Sequence, residues 1–136
     1  MACGFVRSGF RVYRDVGIGV RSIDDSRSLD EKGEDMARIA VWAKIPAAPG
    51  KRDDLAKALE TALETAKGES GTVYYILHAD ATDENALFMY EMYEDQSALD
   101  LHMGSEAFKA LGPAIRPFLG GAPELSFLSP LGGKGA

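Results

Sequence analysis

Three side chains that can hold or transfer a proton lie near one another in this sequence: the carboxylate of Glu91, the phenol of Tyr93 and the imidazole of His102. Residues 86–93 read as a β-strand, in which alternate side chains point the same way, so Met89, Glu91 and Tyr93 share one face. A helix follows at once and carries His102 beside a partly apolar stripe. The pattern predicts that the three groups meet in one apolar cleft.

Glu91 and His102 each have two interpretations. A carboxylate in an apolar pocket has a raised pKa, so Glu91 suits a general base or an acceptor that orients an imidazole. Alternatively, Glu91 is a paired carboxylate that holds the sheet to the helix. His102 suits proton transfer near neutral pH, but it lies three residues after Leu99 and can equally anchor the helix. We predict both residues as catalytic, and the structural alternatives stay open.

Large side chains near these groups are candidates for substrate contacts. The predicted substrate-binding residues are Tyr75, Met89, Tyr93 and Phe108. A tyrosine ring on a strand can line a cavity for a planar molecule, although aromatic residues on strands are usually core. Trp42 and His78 are weaker candidates, because their strand parity can place them on the opposite face of the sheet.

The elements that position these residues follow the order β-α-β-β-α-β. The predicted elements are a strand at 39–45, a helix with Asp53 and Asp54 in its first turn that ends before Gly68, strands at about 72–80 and 86–93, a second helical region, and a strand at 124–129. The second helical region starts near Asp95 or Ser97, breaks around Gly104-Ser105 and resumes as far as the prolines at 113 and 117. This order predicts an α+β, ferredoxin-like fold with a four-stranded antiparallel sheet.

Both faces of the predicted sheet are apolar, although helices can cover only one of them. One strand parity carries Val41, Val73, Leu77 and Met89, and the other carries Trp42, Tyr74, Ile76, Phe88, Tyr90 and Met92. An exposed apolar patch of that size is unusual on a monomer. We therefore predict that the second face packs against another copy of the chain in a two-fold homodimer.

Length and charge exclude several classes of protein. A chain of 136 residues is long enough for one sizeable core. Its net charge of −6 argues against a nucleic-acid partner, and no apolar run approaches the roughly 20 residues of a membrane-spanning helix. The single cysteine, Cys3, cannot form an internal disulfide, so the expected location is the cytoplasm.

Residues 1–35 differ in character from the rest of the chain. They have no sustained helical or strand periodicity, so we interpret them as a disordered leader or as sequence upstream of a true start at Met36. A folded domain is expected at 36–131 and a flexible tail at 132–136.

Motifs for cofactors are missing. The sequence has no phosphate-binding P-loop, no strand-borne G-x-G-x-x-G and no C-x-x-C, and its two histidines lack a metal-ligand spacing. Neither a cofactor nor a metal is therefore expected, and the electrons for any oxidation must come from the substrate.

The same stretch of sequence resembles the antibiotic biosynthesis monooxygenase family, including its quinol monooxygenase-like members. The positions that carry the resemblance are Gly71, Tyr75, Leu77, Tyr90, Glu91, Tyr93, Asp95, Ala98, Leu99, His102, Ser105 and Phe108. It covers roughly residues 36 to 130, with Tyr93 where many relatives have tryptophan. The resemblance implies a dimeric α/β barrel in which two sheets pack together and each subunit has a cleft between its helices and its sheet.

The resemblance also implies an activity: a cofactor-independent monooxygenase that deprotonates a quinol, phenol or polyketide-type aromatic substrate, whose anion then reduces molecular oxygen. A haem-degrading branch of the superfamily is a less favoured alternative, because Leu111, Tyr93 and Ala43 replace residues of its pattern. A ligand-binding or stress-response dimer without catalysis is a third, since a fold alone does not imply a function.

Overall fold

The computed structural model describes residues 37–135, so the predicted leader lies outside the described residues. The elements in chain order are β1 (Ile39–Pro46), α1 (Arg52–Lys67), β2 (Thr72–Ala79), β3 (Ala86–Tyr93), α2 (Gln96–Gly104), α3 (Glu106–Ile115), a 3-10 turn (Arg116–Phe118) and β4 (Glu124–Leu128). The strands form one antiparallel sheet in the order β2-β3-β1-β4. This is the predicted α+β, ferredoxin-like fold.

Strand register decides which side chains face the helices. Glu91 of β3 pairs with Val41 of β1 on one side and with Tyr75 of β2 on the other. Residues directly opposite each other in a sheet project from the same face. The carboxylate of Glu91 therefore lies in the middle of the helix-covered face, which we call the inner face.

Helix α1 covers part of the inner face through an apolar stripe. Leu55 and Leu59, four residues apart and therefore on one side of the helix, are 0% and 1% exposed. Asp53 and Asp54 lie in the first turn and Lys67 in the last, where each complements the helix dipole.

Two capping side chains mark the start of α2 and the break between α2 and α3. Asp95 caps α2 by accepting a hydrogen bond from the backbone N–H of Ala98 at 2.7 Å. The hydroxyl of Ser105 donates to the carbonyl of His102 at 2.7 Å and accepts from the N–H of Phe108 at 3.1 Å. Ser105 thus ends α2 and starts α3, as the predicted break required.

Helix α3 continues past the first of the two prolines that were expected to end it. Pro113 lies inside the helix, which ends at Ile115. Proline has no backbone N–H, so Pro113 removes one hydrogen bond from the helix. Because Pro113 lies only two residues before the end of α3, little of the helix follows that could be disturbed.

A close contact fixes α2 against the sheet. A Cβ atom placed on Gly71, just before β2, would lie 2.5 Å from the Cβ of Ala98 in α2. Only glycine fits there, and the small side chain of Ala98 permits the approach. This contact holds α2 beside the strands that carry the candidate residues.

The outer face of the sheet is aromatic and partly exposed. Trp42 stacks on Phe88 with ring centroids 5.1 Å apart and lies 6.2 Å from the rings of both Tyr90 and His78. Trp42 is 39% exposed and Ile76 is 45% exposed.

Among residues 37–135, no helix is both long and apolar enough to cross a membrane.

The chain beyond β4 contacts the far edge of this outer face. The hydroxyl of Tyr74 on β2 donates to the carbonyl of Gly135 at 3.1 Å. Between the two edge strands, Ala40 and Met92 are each 3% exposed and pair with each other across β1 and β3. The flexibility expected for residues 132–136 stays a prediction.

Candidate active site

A cavity of about 430 Å³ lies between the inner face of the sheet and α3. The sheet side is lined by Ala43, Ile45, Tyr75, Met89, Glu91 and Leu125, and the helix side by Leu59, Met103, Phe108, Lys109, Leu111, Gly112 and Ile115. Ala43 in β1 and Gly112 in α3 contribute almost no side-chain volume, which leaves room between the layers. The walls are mainly apolar, so a ligand there would pack its apolar surface against them.

Glu91 is the carboxylate on this cavity. It is 9% exposed, and its Oε2 accepts a hydrogen bond from the hydroxyl of Tyr93 at 2.6 Å. Burial raises the pKa of Glu91 above its ordinary value, and the nearby Glu69 raises it further, whereas the Tyr93 hydrogen bond and His102 act against the rise. A carboxylate with raised proton affinity beside an apolar cavity is suited to accept a proton from a ligand.

Tyr93, which the sequence predicted as a cleft residue, does not line the cavity. Its side chain is 0% exposed and packs with Val41 and Leu99 beneath α2, because the strand turns into α2 directly after it. Burial, and then the charge of Glu91, raise the pKa of the Tyr93 hydroxyl. The hydroxyl therefore keeps its proton and can act only as a donor to Glu91.

His102 is held by a glutamate that the sequence interpretation missed. Its Nδ1 lies 2.9 and 3.2 Å from the two carboxylate oxygens of Glu69, and Thr72 donates its hydroxyl to Oε2 of the same carboxylate at 2.7 Å. The expectation that Glu91 orients this imidazole is corrected, since Glu69 occupies Nδ1. Glu69 lies in the turn between α1 and β2, outside any helix or strand with a periodic pattern. The feature of the sequence that could have indicated Glu69 as a site residue is its position two residues before Gly71.

Three aromatic rings surround the imidazole of His102. The ring centroids of Tyr75, Tyr93 and Phe108 lie 5.2, 5.3 and 5.4 Å from it. Nε2 is buried and has no hydrogen-bond partner within residues 37–135. Because Tyr75 and Phe108 also line the cavity, their rings form a wall between the cavity and His102.

The predicted site residues thus divide into two layers. Glu91, Tyr75, Met89 and Phe108 line the cavity, whereas Tyr93 and His102 lie behind that wall. Trp42 and His78, the weaker candidates, lie together on the outer face. In the described part of the chain, no three His, Cys, Asp or Glu side chains cluster as they would around a metal ion.

Known proteins share this sequence pattern and this fold. Residues 38–113 match the family model of antibiotic biosynthesis monooxygenases. The crystal structure of a "putative antibiotic biosynthesis monooxygenase" from Caulobacter crescentus CB15 is 31% identical with a TM-score of 0.66, and the match covers 74% of this chain and 95% of that one. Rv0793 from Mycobacterium tuberculosis is 26% identical with a TM-score of 0.66, over 72% of this chain and 99% of that one.

A curated relative shares part of its length with this chain. The uncharacterized protein sll1783 of Synechocystis is 29% identical over 83 residues, which are 61% of this chain and 56% of the relative. The match therefore spans little more than half of that protein. The family model, by contrast, covers more than half of this chain and includes Glu91 and His102. The chain belongs to the antibiotic biosynthesis monooxygenase family.

Proposed function

We propose that this protein is a cofactor-independent monooxygenase that oxidises a quinol, phenol or polyketide-type aromatic substrate with molecular oxygen. The observation that carries the proposal is the position of Glu91: a buried carboxylate with a raised pKa on the wall of an apolar cavity of about 430 Å³. A cavity of this volume lies within the range of small-molecule sites. Membership of the monooxygenase family supports the same reaction class.

The first proposed step is removal of a phenolic proton by Glu91. Oε2 of Glu91 is engaged by the Tyr93 hydroxyl, whereas Oε1 has no hydrogen bond from any residue in 37–135 and is the atom that accepts the proton. The raised pKa of Glu91 brings its proton affinity closer to that of an acidic phenol, which favours transfer near neutral pH. The product of this step is an electron-rich anion held against apolar walls.

The second proposed step is the reaction of that anion with oxygen. The anion transfers one electron to O2, and the substrate radical and superoxide then combine to form a C–O bond. The peroxide takes back the proton from Glu91, and loss of water converts a ring carbon that bore two hydrogens in its keto form into a carbonyl. All four electrons come from the substrate, and the apolar walls reduce the contact of the reactive anion with water.

The proposed working form is a homodimer. The outer face carries the stacked Trp42 and Phe88 together with the exposed Ile76, and a second copy packed on this face would remove an apolar patch from water. A two-fold axis is the simplest closed arrangement. The proposed location is the cytoplasm, which the single cysteine of the sequence supports.

Oxygen consumption by the purified, metal-free protein tests the proposal. The panel should contain hydroquinones, naphthoquinols and anthrones, each measured against its spontaneous oxidation. Turnover of at least one of these compounds, with an oxidised product that retains one atom of labelled oxygen, is the expected result. Binding without turnover across the panel would favour the ligand-binding alternative.

A further inference from the structure

The Glu69–His102 contact differs from the glutamate–lysine pairs of the described chain. Lys67 and Lys109 pair with glutamates that are mostly exposed, three residues away on the same helix. Glu69 instead reaches across 33 positions of sequence to an imidazole whose side chain is 7% exposed, and its own side chain is 22% exposed. Such a buried contact is much less screened by solvent than the surface pairs.

A continuous series of contacts leads from this pair to the cavity. The ring of His102 packs against the ring of Tyr93, and the hydroxyl of Tyr93 donates to Oε2 of Glu91. Glu91 faces the cavity. Each group in the series therefore limits the orientation of the next one.

We propose that Glu69 is a positioning residue for the monooxygenase reaction: it fixes the imidazole of His102, which holds the Tyr93 ring so that its hydroxyl engages Oε2 of Glu91 and leaves Oε1 to the substrate. This inference rests on the proposed function of Glu91 as the base. Glu69 touches neither the cavity nor the reacting atoms, and it acts only through His102.

The hydrogen bond to Glu69 determines which nitrogen of the His102 ring carries the proton. A carboxylate only accepts hydrogen bonds, so Nδ1 of His102 must carry a proton in order to donate to it. In the neutral ring, Nε2 is then the unprotonated nitrogen. It carries a lone pair and no N–H, and in this form it can stay buried among three aromatic rings without a hydrogen-bond donor. Without Glu69, either nitrogen can carry the proton and the ring loses the contact that sets its angle.

The tautomer of His102 can be measured without any substrate. In protein labelled with nitrogen-15, long-range correlation spectra of the neutral ring should show the proton on Nδ1, and Glu69→Gln should weaken that preference. Glu64→Gln, an exposed glutamate of α1 paired with Lys67, is the matched control and should leave the spectrum unchanged. A proton on Nε2 in the unsubstituted protein would overturn the proposal, whether or not the protein is an oxygenase.

A double-substitution cycle tests whether Glu69 acts through His102. Glu69→Gln should lower kcat by up to about 10²-fold, the scale of a small misplacement of catalytic groups, while KM changes little. In the background of His102→Phe, the same substitution should lower kcat by no more than about twofold. An equal loss in both backgrounds, or an unchanged kcat in folded Glu69→Gln protein, would overturn the role given to Glu69. A protein that turns over no substrate contradicts the proposed function instead, and the tautomer then decides whether Glu69 fixes His102.

Discussion

The hydroxyl of Tyr93 donates a hydrogen bond of 2.6 Å to Oε2 of Glu91, two residues earlier on the same face of β3. Both side chains are buried, so this bond to a charged acceptor lies in a medium of low dielectric, where it is strong. It stabilises the ionised form of Glu91 against the effect of burial. The proton affinity of the candidate base, which burial raises, is therefore lowered in part by a residue that does not line the cavity.

Replacing Tyr93 with phenylalanine should shift the pH dependence of the reaction. The Tyr93 hydrogen bond lowers the pKa of Glu91, so Tyr93→Phe raises that pKa further. Because a base must be ionised to accept a proton, the acidic limb of the kcat/KM profile should move to higher pH. Loss of the hydrogen bond should also lower stability by about 1–3 kcal/mol. Tyr90→Phe on the outer face is the control, and an acidic limb that stays in place would contradict this role of Tyr93.

Replacing Glu91 with glutamine should make the protein relatively more stable as the pH rises. The folded-state pKa of Glu91 is raised, so the stability that its protonated form contributes is fully present below the ordinary glutamate pKa and is lost as the pH rises through the raised value. Glutamine keeps the volume and an acceptor for Tyr93 but does not titrate. The difference in Tm, variant minus unsubstituted protein, should therefore increase between pH 4 and pH 8. A difference that grows on acidification would contradict the raised pKa.

Adding a side chain at Gly112 should reduce the space for substrate. Gly112 lines the cavity from α3, and a Cβ atom there would meet nothing within 4 Å. Gly112→Leu should raise helix propensity by about 1 kcal/mol and raise KM for the larger substrates. Gly104→Leu is the matched control, since Gly104 also has open space around its Cβ. Equal KM changes in the two variants would argue against this cavity as the binding site.

The proposed homodimer differs from a monomer in molecular mass, which can be measured. Light scattering at micromolar concentration should give twice the chain mass, and Trp42→Lys should shift the protein toward monomer because it places a charge in the proposed interface. Leu101→Lys is the control, since Leu101 is 75% exposed on α2. A monomer in the unsubstituted protein would remove the argument from the apolar outer face.

The fold was predictable because local and periodic signals agreed. The alternation along β1, the Leu55 and Leu59 stripe of α1 and the serine at the α2–α3 break each match the observed elements. The contact between Gly71 and Ala98 was not predictable as a contact, because the two residues come together only when α2 packs on the sheet. The close approach explains why Gly71 and Ala98 are both among the positions that carry the family resemblance.

The site was predictable only in part. Strand parity correctly places Glu91 and Met89 on one face, but parity does not say which residues on that face a helix then covers. Tyr93 is covered by α2 and His102 lies behind two aromatic rings. Glu69 was missed because its role depends on a tertiary contact with His102 and not on any pattern in its own turn.

The central claim, that Glu91 accepts the substrate proton, is tested most directly by oxygen consumption of Glu91→Gln protein on a substrate that the unsubstituted protein oxidises. Glutamine keeps the size of the side chain but cannot act as the base, so the rate should fall by about 10²-fold or more, while Tm at neutral pH does not fall. An oxygen-consumption rate equal to that of the unsubstituted protein would contradict the account.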